Sequence, residues 1–313
     1  MLVTRADLEA RLAELRQMVA DPSVGIHGPG SHAWALKRES INFVGGARAA
    51  LLQLAHPYVA HGIDQHSKTR TDIQGRFQRT FTNVFAMTFG DLDQAFRAAR
   101  RVHNVHHRIR GEITEDVGPF LRVHHYEAND ADALTWVWAT LIDTIVTVNQ
   151  RYVRRLSPPF LERFYQETKR FAYLFGLSDE QLPPDYPGFR RYVDLMFASD
   201  TLTVGTQARE MASFLLAAPS PKLRPVFAWY RAVTAGLMPP RLRLGFDLSW
   251  GPAERALFRA STPIIRGAYA VTPRALRYLP AYVEARSRIA GRAPGRLAGL
   301  TYRLAVRGAR VAG

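Results

Sequence analysis

The chain has 313 residues, of which 47% are hydrophobic and 22% charged, and its formal net charge is +15. That composition suits a folded globular protein with one large core or two modest ones. Cysteine is absent, which excludes disulfides and every thiolate-based zinc or iron–sulfur site, so metal chemistry has to use imidazole, carboxylate or a preformed cofactor.

The first segment, MLVTRADLEARLAELRQMVAD, is charged at nearly every turn and does not read as a secretory signal. The expected location is the cytoplasm. No uninterrupted apolar run approaches the ~18 residues that a membrane-spanning helix needs. Thr4 caps a first helix, with Leu8, Leu12, Leu15 and Met18 near helical spacing, and Asp21-Pro22 ends it. Residues 22–31, rich in Gly and Pro, read as a loop.

From Ala47 to Ala55 nearly every residue is small or apolar, which predicts a helix buried on most sides. Gly45-Gly46 before it predicts a close backbone approach, to another helix or to a ligand. Pro57 kinks that helix or starts a new one. Residues 66–75 read as a polar loop, and 76–89 as a helix stopped by Gly90. Asp91 caps a further helix that Gly111 ends. Residues 112–128 are irregular.

Asn129 or Asp130 then caps a long apolar helix with Trp136, Trp138 and Leu141 in the core. Pro158-Pro159 breaks the pattern, and helical stretches resume to about residue 237. After Pro239-Pro240 comes a loop with Trp250. A last helical region, 252–309, is interrupted by Pro263, Pro273, Pro280 and Pro294. Hairpin signals and period-two alternation are nearly absent. The reading is one all-α, multi-helix domain over 1–313, with an N-terminal helix and loop (1–31), a catalytic core (32–290) and a basic tail (291–313).

No acidic residue follows Glu284, while Arg286, Arg288, Arg292, Arg296, Arg303, Arg307 and Arg310 do. This bias reads as a solvated basic helix end or as peripheral contact with a membrane. No nucleic-acid recognition motif accompanies it, and no nucleic-acid partner is expected.

Eight of the ten histidines fall between residues 44 and 125, and none follows His125. His103, His106 and His107 stand at i, i+3 and i+4, a spacing that can turn one imidazole inward as a metal or haem ligand. The same spacing equally suits a solvated or hydrogen-bonded cluster. Arg76, Arg79 and Thr80 share another helix face, which can hold a carboxylate, a phosphate or polar substrate groups, or can simply be a basic exposed face. His56, His61, Asp64 and His66 form a third group. His56 reads as a satisfied core histidine, and Asp64 as a base if it is buried. The chain lacks H-E-x-x-H, G-x-S-x-G, G-x-G-x-x-G and the P-loop motif, so zinc protease, hydrolase-triad, Rossmann and P-loop readings have no support.

Three ordered pieces, GGARAALLQLAHPYVAHGIDQHS, RFQRTFTNVFAMTFG and AARRVHNVHHRIRG, resemble the family that includes the fungal oxygenase MpaB and the catalytic domain of bacterial rubber oxygenase. ADALTWVWATLIDT, GLMPPRLR and the Trp250 region are similar too, so the resemblance runs from about residue 32 to 290. It implies an all-α, globin-like fold, haem b and oxygen chemistry. Rubber-cleaving members carry a proximal histidine on the helix after an R-x-x-K-T motif. Here that motif is matched by Arg76, Arg79 and Thr80. The histidine that best fits the following H-x-x-V-x-G pattern is His106, with Ile109 and Gly111 in register; His107 is the alternative by one residue of slippage.

The motif lysine is replaced by Arg79. A guanidinium has no free lone pair and is a very poor axial ligand, so the resemblance implies an iron with no distal protein ligand. Arg79 would then hydrogen-bond oxygen or peroxide, or hold a haem propionate. The family's carboxylate base has Asp64 as its nearest match. The lack of a secretion signal argues against rubber, an extracellular polymer, as the substrate.

The expectation is therefore a haem-b oxygenase or oxidase using O₂ or peroxide on an apolar, isoprenoid or lipid-like small molecule. Apolar residues of 44–60 and 130–145 would wall its site. The competing expectation is a haem-free α-helical binding or scaffold protein whose basic tail meets a membrane or an acidic partner.

Overall fold

The computed structural model describes residues 1–67 and 73–292, with the backbone alone over 73–78. The chain is an all-α domain built around one apolar helix, α7 (Ala131–Tyr152). Asp130 caps it by accepting the Ala133 N–H at 3.0 Å. Trp136, Trp138, Ile142 and Val146 are buried along it, and each indole N–H meets a carbonyl, Leu52 for Trp136 at 2.8 Å and Thr168 for Trp138 at 3.3 Å. An apolar helix can enter a core fully only when such polar edges are satisfied. By length and hydropathy α7 also matches a membrane span, yet 72% of that stretch is buried within the fold, as in the core helix of a folded domain.

Around α7 pack α2 (His32–Lys37), a 3₁₀ turn (Ser40–Gly45), α3 (Gly46–Leu54), α8 (Pro158–Tyr173), α9 (Tyr186–Ala198) and α13 (Pro252–Val271). The remaining helices complete the shell: α1 (Arg5–Met18), α4 (Pro57–His66), α5 (Ile73–Phe89), α6 (Leu92–His106), α10 (Thr206–Leu215), α11 (Arg224–Leu237), α12 (Pro240–Gly245), α14 (Arg274–Arg277) and α15 (Pro280–Ile289).

Several boundaries follow the expected chemistry. Thr4 and Asp7 form a capping box on α1, and Asp91 and Gln94 form one on α6. Pro57 starts a new helix in the N1 position, where its missing N–H costs nothing.

Other boundaries differ from the sequence reading. Pro158 and Pro159 do not break a helix; they are the first turn of α8 behind the Ser157 cap. Pro263 does not interrupt α13. It lies on the exposed side, where water can satisfy the carbonyl it leaves without a partner. A short helix, α12, replaces part of the loop expected after Pro240. The helix expected to run to Gly111 stops at His106, and Arg110–Glu112 (β1) pairs antiparallel with His125–Glu127 (β2) inside the stretch read as irregular. Strands of three residues are too short to show alternation.

The Gly45 expectation resolves in favour of another helix. A Cβ at Gly45 would lie 2.6 Å from the Cγ2 atoms of both Thr144 and Val148 on α7. Both are β-branched core residues that cannot turn away. Gly45→Ala is therefore expected to cost about 1–3 kcal/mol by overpacking, read as a lower denaturant midpoint at unchanged m value.

One buried charge stands apart. Lys37 on α2 is 8% exposed, and its Nζ lies 4.5 Å over the Phe171 ring without a hydrogen-bond partner. Burial pushes its amine down to about 7, against a smaller opposing pull from Glu167. The unfolded amine keeps its proton up to about 10.4. The unfolded state therefore binds more protons between these values, and stability rises with pH across that window. Relative to Lys37→Met, wild-type stability should climb by about 3 kcal/mol between pH ~7 and ~9.5, measured by denaturant unfolding. Parallel pH curves for the two proteins would show that Lys37 is protonated in the fold.

Candidate functional site

Helices α5 and α6 form an antiparallel pair closed by Gly90 and the Asp91 cap. The pair carries both candidate motifs. Of the α5 residues, Arg79 and Thr80 are exposed, while the Arg76 side chain lies outside the described residues.

The last turn of α6 carries the three histidines, and their surroundings differ. His107 is the exposed C-cap. His103 turns to α1, where Arg5, Asp7 and Glu9 act on it; its Nδ1 is buried without a hydrogen-bond partner. The residue surface of His106 is partly open, yet enough protein crowds the imidazole to push its pKa down to about 4. Burial is the main cause and the charge of His103 adds to it, with a hydrogen bond to Asn129 in opposition. A helix C-terminus favours imidazolium by about 0.3–1 kcal/mol, so desolvation outweighs the dipole here. The result is an imidazole that keeps a free lone pair at neutral pH.

The residues after His106 lock this helix end in place. Ile109 packs on α4 against Gly62, and its carbonyl accepts the Ala128 N–H at 2.9 Å. Gly111 lies beneath Gln65 and Tyr126, where a Cβ would come within 3.0 Å of the Tyr126 hydroxyl. Asn129, buried just before α7, reaches back to the His103 carbonyl at 3.4 Å.

A second group surrounds the start of α4. His56 is 3% exposed and caps the helix, its Nδ1 accepting the Tyr58 N–H at 3.3 Å; burial pushes its pKa to about 4. His61 Nδ1 donates to the Pro57 carbonyl at 3.0 Å, which leaves Nε2 to face the Thr114 hydroxyl at 3.3 Å. Gln207 holds Thr114 in turn at 2.9 Å, and the Tyr58 hydroxyl is hydrogen-bonded to His124 Nε2 at 2.7 Å. Asp64 is half-buried beside Tyr126, whose hydroxyl is pushed up to about 12 by burial and by the Asp64 charge. Gln65, Arg110, Glu112, Thr114 and Tyr126 line a cleft of about 710 Å³ along the β1–β2 ribbon.

As partners of these side chains, Thr114, His124, Asn129 and Gln207 have no sequence signal; Asn129 reads only as a candidate helix cap. They lie 23 to 93 residues from the histidine or helper they serve, as the numbering of each pair shows. No local spacing could have marked them. Among the described residues, no three His, Asp or Glu side chains gather as a bare metal site would require.

Comparison with known proteins adds the final observation. Neither the curated proteins nor the solved structures give a match. Residues 34–267, from within α2 to most of α13 and including the candidate histidines, Arg76, Arg79, Thr80 and Asp64, match one family model. The chain belongs to the family of the ER-bound oxygenase mpaB/B′ and rubber oxygenase catalytic domains.

Proposed function

We propose that this oxygenase-family domain uses haem b, held through His106, to oxygenate an apolar small molecule of isoprenoid or lipid-like character. The observation that carries the proposal is the placement of the His106 imidazole in the last turn of α6, crowded by protein. It stands where the family motif calls for an iron ligand, and burial keeps its lone pair unprotonated down to about pH 4. The donor set fits: haem needs one protein ligand, and the desolvated His106 imidazole can supply it. His107, the alternative one residue on, is the exposed C-cap of the helix.

Bound haem would supply the redox chemistry with O₂ or peroxide. The chain's own residues supply the rest. Asn129 steadies the His106 side, and Ile109 and Gly111 fix the helix end on α4. Arg79 has five N–H donors and no lone pair, so its part is to hold a propionate or donate to an oxygen, never to ligate iron. Asp64, half-buried beside Tyr126, is the candidate base. Apolar residues of 44–60 and α7 exclude water from the substrate.

The test is oxygen uptake by haem-loaded protein with a panel of isoprenoid and fatty-acyl substrates, alongside the haem-to-protein ratio. About one haem per chain with substrate-dependent uptake is expected. Stable, folded protein that takes up no haem on titration would remove the proposal and favour a haem-free binding protein.

A further inference from the structure

Helix α13 presents an unusual outer face. Its inner side is set into the fold by Phe258, Ser261 and Tyr269, all buried. On the opposite side Ala253, Leu257, Ala260, Ile264, Gly267 and Val271 recur at helical spacing, and every one is exposed. Ile264 is 68% exposed and Val271 82%. A soluble helix places polar residues there. The stripe runs about 27 Å along the helix.

Exposed Pro252, Ala256, Pro263 and Ala270 widen the apolar face on one side, and Arg255, Arg259 and Arg266, at i, i+4 and i+11, flank that widened face. Arg255 also donates to the Trp250 carbonyl at 3.2 Å. No carboxylate stands within ion-pairing distance of these three among the described residues. The single acidic residue of the helix, Glu254, is occupied in capping, accepting the Gly251 N–H at 2.8 Å. α11 packs beside α13, with Gly236 on Phe258 and with Trp229 and Ile265 both set against the same apolar cluster. Leu223, just before α11, and Val226 on it are exposed apolar residues too, next to Lys222 and Arg224.

Charge decides what can cover this face. Residues 252–313 hold twelve arginines and two acidic residues. A second copy docked face to face would bring arginine rows together. The chain beyond residue 292 carries Arg296, Arg303, Arg307 and Arg310 with no acidic residue, so it is repelled in the same way. A surface both apolar and anionic suits the stripe and its rim together, and a bilayer interface with anionic headgroups has that chemistry.

We propose that the outer face of α13 docks on a lipid bilayer, its apolar stripe entering the interface and Arg255, Arg259 and Arg266 meeting anionic headgroups. This surface is separate from the α5–α6 site, and it would bring the domain to the phase where apolar molecules dissolve.

The test is co-sedimentation of the full chain with vesicles of phosphatidylcholine alone and of an equal mixture with phosphatidylglycerol. Wild type should bind the mixed vesicles, more weakly at high salt, and bind the neutral ones poorly. Ile264→Glu with Val271→Glu should weaken binding at least about tenfold. Arg259→Glu with Arg266→Glu should do the same, while the control Leu195→Glu, on the exposed side of α9, leaves binding unchanged. Melting curves check that each variant folds, and haem content plays no part in the readout. Full binding by the α13 variants would assign contact to another surface, such as the basic tail, and overturn the proposal. So would equal binding to neutral vesicles, or no binding at all. Self-association abolished by Ile264→Glu without vesicle binding would make a second copy the occupant and overturn it equally.

Discussion

Asp143→Ala is expected to lower folding stability by about 3–5 kcal/mol, a large part of what a domain of this kind possesses. Asp143 is 2% exposed in the middle of α7. One carboxylate oxygen accepts from Arg48 on α3 at 2.6 Å, and the other pairs with Arg190 on α9. The Arg48 guanidinium is itself 4% exposed and donates further to Thr144 at 2.7 Å and to the Leu237 carbonyl at 2.8 Å. The network thus ties α3, α7, α9 and the end of α11 together through charge-assisted bonds. Removing the carboxylate leaves a buried guanidinium uncompensated, whereas Arg190 can turn to Asp194, 2.9 Å away near the surface.

The pair itself need not contribute net stability, because desolvating two ions offsets much of their attraction. The double variant Arg48→Met, Asp143→Leu should therefore recover most of the loss. Denaturant midpoints for the two singles and the double complete the cycle. A loss under about 1 kcal/mol for Asp143→Ala would show that water reaches the network and that the helices are not pinned by it.

His106→Ala should abolish haem retention, with affinity falling by at least about 100-fold, while the fold melts close to wild type. On the proposed reading the side chain serves as a ligand, and its partly open residue surface limits the packing lost on truncation. Added imidazole should restore part of the binding by filling the vacated position, a response that a general packing defect would not show. The pH dependence follows from the lowered pKa. Free histidine titrates near 6.5, whereas His106 and His56 both sit near 4 in the fold. Their contribution to stability is complete above about pH 6.5 and is lost as the pH falls through 4. Haem retention should accordingly stay level from about pH 8 to 5 and collapse below that. A midpoint near 6.5 would mean that the ligand is not the desolvated imidazole of His106.

The sequence exposed the parts of this fold that depend on near neighbours. Thr4, Asp91 and Asp130 cap helices because their side chains reach N–H groups two or three residues away, and that relation is written locally. Pro57 likewise marks its own helix start. What escaped notice depends on distant partners. Arg48 sits in a run of small and apolar residues and looked incidental until Asp143 and Thr144 came beside it. The β1–β2 ribbon exists because Gly111 fits under Tyr126 and Gln65, not because three residues alternate. Pro263 passes through α13 because that side faces water.

The site divides in the same way. The i, i+3, i+4 histidines were visible, but spacing alone gave no reason to prefer one. His106 was singled out by resemblance to the family pattern, and the fold adds the physical difference between it and the exposed His107. Thr114, which meets His61, and Gln207, which holds Thr114, have no local signal, and Asn129 reads locally only as a candidate cap. Arg76 falls outside the described side chains.

The most direct test is the ultraviolet–visible spectrum of haem-supplemented protein, compared with His106→Ala, His107→Ala and His103→Ala. The account predicts a Soret band in wild type that persists in the His103 and His107 variants and is lost or shifted in His106→Ala alone. A Soret band unchanged by His106→Ala, or no band in folded wild-type protein, would contradict it.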